Sequence, residues 1–258
     1  MHRMSARLRT GFRAVSLLVL AVSPAWAQPE PERVALTAAD SVRIAAFWYA
    51  NPDAKSPPAV ILLHNPGATH NGWQPLVTPL YRAGFQVLSI DFRGHGDSKE
   101  LSPEVYEQLR RRESEPYKRM IHDIEAAIRW LADTSKASAE RIALVGGEHA
   151  ANLAIQALSR NRDLGAVVAM SPSRYYFQFP LVETAKKCGP RPLLLVVPKQ
   201  LLNAGSSEIA ASMRRNPGFE MKVYPRLELH GVHMLGLSWN VEGFITDWLR
   251  QVFDLGSS

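Results

Sequence analysis

The chain has 258 residues, 46% hydrophobic and 21% charged, which excludes a disordered or fibrous protein and allows one sizeable α/β domain. Its 30 basic and 24 acidic side chains give +6, but Arg3, Arg7, Arg9 and Arg13 all precede an apolar run, Ala14–Val22, that leads to Ala25 and Ala27. Without residues 1–27 the balance is 26 basic to 24 acidic, or +2, so charge gives no argument for nucleic acid as a partner.

Residues 1–27 have the form of a secretory signal peptide: basic start, short apolar run, small-x-small ending at Ala27, where cleavage is expected. The run is too short to span a bilayer, so membrane contact is expected only during export, to a secreted or periplasmic location. Residues 28–32, "QPEPE", form a polar, proline-rich leader expected to be disordered. From residue 33 to 254 a single domain is expected, with 255–258 as a tail.

Within that domain "VALTAA" and "VRIAAFWYA" predict an opening hairpin around Asp40 and Ser41. "AVILLH" (59–64) and "FQVLSID" (85–91) are short apolar runs of the kind covered on both faces. Between them "GWQPLVTPLYRAG" has helical spacing and stops at Gly84. Residues 100–115 read as the one long loop, which could cover a site. "LRRRESEPYKR" (109–119) interleaves its cations with Glu113 and Glu115 and reads as a solvated loop or helix start. Next come a helix through "YKRMIHDIEAAIRWLAD", a strand "IALVG", a helix from about Ala150, and strands "AVVAMS", "PLLLVV" and "FEMKVYP". A last amphipathic helix covers "WNVEGFITDWLRQVF", and Trp130 and Trp248 lie on apolar helix stripes as core residues. The lone Cys188 cannot close an internal disulfide and reads as packing. Strands alternating with helices imply an α/β fold: a mostly parallel central sheet with helices on both faces and any ligand beyond the carboxyl ends of the strands.

The order of several motifs resembles the α/β-hydrolase superfamily, in its small esterase and dienelactone-hydrolase-like branch. They are "VILLHNPGATHNGW", "DFRGHGDS" (91–98), "RIALVGGEHAANLA", "AVVAMSP", "RPLLLVV" and "HGVHML". The resemblance covers about residues 34–253. It implies a serine on a strained strand-to-helix bend, a histidine, an orienting acid and backbone amides for an oxyanion. The position matching the serine is Glu148, flanked by the small residues Gly146 and Ala150, and no Ser or Cys occurs from Arg141 to Leu158. The acid position after "PLLLVV" offers Lys199 and Gln200, "SPSRYYFQ" holds no acid either, and Glu228 is too close in sequence to His230 to replace it. The oxyanion position falls on Pro66, which has no N–H, or on Asn65 if the match shifts by one residue; the His149 amide could still serve. His230 is kept. The resemblance gives His64 a structural role, and makes Asp91, Arg93, His95 and Asp97 holders of turns and charge pairs.

The pattern therefore implies a degenerate triad at Glu148 and His230, in a pocket drawing on His64, Asn65, Pro66, Glu148, His149 and His230. The leading expectation is a non-catalytic protein that binds a small-molecule ligand or a protein partner, without a cofactor. A second is a hydrolase of esters, epoxides or halides with Glu148 as carboxylate nucleophile and His230 activating water, as in haloalkane dehalogenases and epoxide hydrolases. A third is a metal site among His64, Glu148, His149, His230 and His233, which has no supporting ligand spacing.

Overall fold

A computed structural model describes residues 29–51, 57–135 and 137–255; the expected signal peptide and its cleavage point lie outside the described residues. Among the described residues eight strands form one sheet: β1 (Glu32–Thr37), β2 (Arg43–Tyr49), β3 (Ala59–Leu63), β4 (Gln86–Ile90), β5 (Ile142–Gly147), β6 (Ala166–Met170), β7 (Leu193–Pro198) and β8 (Phe219–Tyr224). Their order is β1-β2-β4-β3-β5-β6-β7-β8. The pairings β1/β2 and β2/β4 are antiparallel, and all later ones are parallel.

Burial explains this order. Strands β3 to β7 are buried at every residue, which is why they read as unbroken apolar runs. Edge strand β8 alternates between more and less exposed positions instead. Successive residues of the inner strands feed opposite cores. Ile61, Leu63, Leu144 and Leu195 face one core, and Val60, Leu62, Val145 and Val196 the other. The first core is roofed by α5 (Ile121–Thr134), α6 (His149–Arg160), α7 (Leu181–Lys186) and α8 (Ser206–Met213), and the second by α1 (Gln74–Arg82) and α9 (Val241–Val252). Trp248 is buried, while Trp130 is half-buried and meets Trp48 edge-on.

Three sequence expectations need correction. Residues 100–115 are not a loop but carry short helices, α2 (Ser98–Leu101), α3 (Pro103–Arg110) and the start of α4 (Glu115–Arg119). Prolines at the first turns of α3 and α4 set these starts, because a helix's first residues need no N–H partner. The helix expected through residues 117–133 is broken at Met120, whose side chain turns inward and is buried. Strand β1 starts at Glu32, inside the stretch read as leader, because that residue already pairs with Trp48. The cations of residues 109–119 do pair locally: Arg111 with Glu113, Arg119 with Glu115, and Arg110 with Glu107.

Candidate functional site

Parallel strands aim their carboxyl ends at one rim, and β5 leaves that rim through the sharpest bend in the site. Glu148 there has φ 55° and ψ −116°, while its N–H still bonds to the Met170 carbonyl at 2.9 Å and its carbonyl receives the amides of Ala151 and Asn152. Gly146 makes the bend possible: a Cβ at that position would stand 2.6 Å from the carbonyl oxygen of Ala150. Helix α6 begins at once, so the side chain at the bend is thrust up to the rim.

Three groups meet that carboxylate. Asn65 donates from Nδ2 to Oε1 at 2.6 Å, His230 contacts the same oxygen through Nδ1 at 2.7 Å, and the Tyr176 hydroxyl donates to Oε2 at 2.5 Å. Asn65 is itself pinned. Its Oδ1 accepts from the Val232 amide at 3.1 Å, and its side chain lies where Cβ atoms on Gly147 or Gly231 would collide with it. Burial, then the hydrogen bond and charge of Glu148, push the Tyr176 phenol up from its usual pKa. The Glu148 side chain is 12% exposed and that of His230 49%, so solvent reaches the pair from the imidazole side.

The orientation of His230 matters. In a Ser–His–acid triad Nδ1 holds the acid and Nε2 takes the nucleophile's proton. Here Nδ1 faces the residue at the bend, which puts Glu148 in the chemical relation of the acid to its histidine. Ser171, at the end of β6, stands close by, but its hydroxyl accepts from the Gly231 amide and points at the Met234 sulfur. Among the described residues, no serine or cysteine hydrogen-bonds to His230. The stretch expected to bear an acid is a 3-10 turn, Lys199–Ala204, where Gln200 donates to the Glu228 carbonyl. Glu208 beyond it pairs with Arg174.

The other pocket candidates separate from this group. His64 is sealed behind the site: Nε2 accepts the Phe92 amide at 3.0 Å, Nδ1 bonds to the Asn65 carbonyl at 2.7 Å, and burial lowers its pKa to about 4. It therefore does not face a ligand. His64, Asn65, Pro66 and His149 line a small crevice behind the bend, too tight for a water molecule. Pro66 has no N–H to give; the His149 amide, first in α6, remains as an oxyanion donor. The His149 ring lies 3% exposed, with Nε2 against the Tyr117 carbonyl, Nδ1 without a partner and its pKa lowered by burial. Phe177, at φ 53°, stacks on Tyr117 and meets His149 edge-on. Among the described residues, no three His, Cys, Asp or Glu gather as metal ligands. The set expected to converge, which included His233, does not.

A family model described as alpha/beta hydrolase fold matches residues 58–185, from just before β3 into α7. The chain belongs to the α/β-hydrolase superfamily. Solved members resemble it along most of their length. A Pyrococcus furiosus esterase is 22% identical with a TM-score of 0.65, over 86% of this chain and 91% of its own. Dienelactone hydrolase from Anabaena variabilis is 18% identical with a TM-score of 0.66, over 87% and 99%. A CIB-like hydrolase from Thermoplasma acidophilum gives 18% and 0.64, over 86% and 98%. At such identities the likeness carries the fold and not the substrate. No curated protein matches the chain.

Sequence reasoning finds Asn65 as a possible oxyanion residue and pocket candidate but not as a partner of Glu148, and it misses Tyr176. That tyrosine lies in "SPSRYYFQ", a stretch without an acid; a hydroxyl able to face a carboxylate was the complementary signal.

Proposed function

We propose that this is an exported relative of the α/β-hydrolases that binds a small molecule or a protein partner at its strand-end rim and performs no acyl-enzyme chemistry. The observation that supports this best is the saturation of Glu148. Its carboxylate accepts from Asn65, His230 and Tyr176 at once, and a carboxylate held by three donors is a poor nucleophile. The carboxylate-nucleophile reading also needs a second acid to orient the histidine that activates water, and among the described residues His230 meets no acid but Glu148 itself. The losses compound: no serine at the bend, no separate acid, and proline at one of the two oxyanion positions. For binding, the rim keeps an outward imidazole edge, and exposed apolar side chains flank two of its residues in sequence: Tyr175 (74%) and Phe177 (40%) beside Tyr176, and Leu229 (46%) beside His230.

The test uses protein recovered from the periplasm or medium, whose N-terminal sequence should begin at Gln28. Activated short-chain esters, epoxides and haloalkanes should show no turnover that Glu148→Ala abolishes, and Glu148→Ser should recover little esterase activity. Turnover lost with Glu148→Ala would establish the carboxylate nucleophile. Strong esterase activity in Glu148→Ser would show that the acid and oxyanion losses had been misjudged.

A further inference from the structure

Helix α6 carries Glu148 at its head and Arg160 at its tail, about 18 Å away on the opposite pole of the sheet. Two grooves open at that tail. One, of about 460 Å³, runs between α5 and α6 and is lined by Arg129, Arg160 and Arg162 with Glu125 and Asp163. The other, of about 630 Å³, lies between the end of α6 and the turn after α7, lined by Arg162, Lys187 and Arg191 among others. Arg162 belongs to both.

Ion pairs hold only some of the surface cations. Arg33, Arg110, Arg111, Arg119, Arg174 and Lys186 each meet a carboxylate. Arg129, Arg160, Arg162 and Lys187 form no ion pair among the described residues, although two carboxylates line the same groove. Glu125 is turned to His122 instead. Arg191 is engaged with the backbone. Its Nε and Nη1 donate to the carbonyls of Cys188 and Asn161, which fixes the wall of the second groove and covers a carbonyl at the negative end of α6. With a charge of only +2 in the chain after residue 27, this concentration is local. Volumes of this order suit a small ligand rather than a flat partner.

We propose that this pole binds phosphate groups, one in each groove, with Arg162 shared between them. Guanidinium groups match phosphate oxygens with paired N–H donors, and a divided site with a common arginine suits an anion bearing at least two charges. The phosphates can come from a soluble polyphosphate or from lipid headgroups, and both present the same chemistry to the grooves. The site is separate from the Glu148 rim, so its fate does not bear on the reading given above.

The experiment measures binding of sodium tripolyphosphate by calorimetry, and co-sedimentation with phosphatidylcholine vesicles with and without phosphatidylglycerol, at matched ionic strength. Wild type should bind at least one of the two phosphate probes. Arg162→Ala should weaken that binding by about tenfold or more, the loss of one charge-assisted contact, while Arg226→Ala in the loop after β8 should not. Tripolyphosphate binding alone assigns a soluble ligand, and vesicle binding alone assigns a headgroup. Binding of neither probe, or equal weakening by Arg162→Ala and Arg226→Ala, overturns the proposal, the second because it would reveal diffuse charge attraction.

Discussion

Glu148 keeps a backbone conformation that suits no side chain. At φ 55° and ψ −116° it lies outside the small left-handed helical region, where strain amounts to about 1–3 kcal/mol. In an active hydrolase such strain lifts a nucleophile into reach; here it is sustained by the amides of Ala151 and Asn152 on the Glu148 carbonyl and by the bonds of Asn65, Tyr176 and His230 to its carboxylate. Two truncations separate strain from hydrogen bonding. Both Glu148→Ala and Glu148→Gly delete the carboxylate and strand the buried Asn65 amide, but only glycine also relaxes the bend. Glu148→Gly should therefore be the more stable of the two by about 1 kcal/mol in urea unfolding, despite glycine's greater freedom when unfolded. A less stable glycine variant would mean that the bend is unstrained.

Between elements, the decisive contact is made by Arg93. It follows β4 and is 1% exposed, yet its guanidinium bonds to Asp40 in the β1–β2 turn and to Asp123 on α5, and its amide also donates to Asp123. Burial works to lower its pKa, but hydrogen bonds and charge from Asp40 and Asp123 hold it above the usual value. The clamp joins the antiparallel edge to the helical layer beside the rim. Arg93→Met should cost about 3–5 kcal/mol in chemical unfolding, because it leaves the Asp123 carboxyl buried without its partner, and Arg93→Met with Asp123→Leu should recover much of that loss. Additive losses from the two substitutions would exclude the clamp. The sequence made the sheet legible because its inner strands are apolar on both faces, and the bend legible because Gly146 and Ala150 leave room for it. Its substituted apex needed no structure to find. What stayed hidden depends on side-chain direction across the fold: that Asn65 turns its amide to Glu148, that Tyr176 reaches it 28 residues along the chain, and that His230 offers Nδ1. The helices of residues 98–119 were obscured by their charge and shortness, since α3 fully buries no residue and its apolar stripe, Val105, Tyr106 and Leu109, is only about one turn long.

For the whole molecule, the buried histidines link stability to pH. His64 is neutral in the fold because a proton on Nε2 would collide with the Phe92 amide that donates there. Burial, reinforced by the nearby His95, lowers its pKa from 6.5 to about 4. The unfolded chain thus takes up a proton near pH 6.5, which the folded chain refuses until about pH 4. The corresponding stability is complete above pH 6.5 and is lost as pH falls through this window, by about 3 kcal/mol in all. His95 and His149, also lowered by burial, act in the same direction. Asp123 acts against them: burial raises its carboxyl to about 6, so between that pH and the usual carboxylate value the fold holds the extra proton. The wild-type curve therefore mixes two signs, and a difference measurement is needed to isolate His64. His64→Gln cannot titrate and leaves Asp123 in place. Urea midpoints at about pH 7 and about pH 4.5 should show wild type losing about 2–3 kcal/mol more than His64→Gln between the two conditions, even if the variant begins less stable. Parallel losses in the two proteins would mean that His64 accepts a proton inside the fold, and the hydrogen bond from Phe92 would then have to be reassigned.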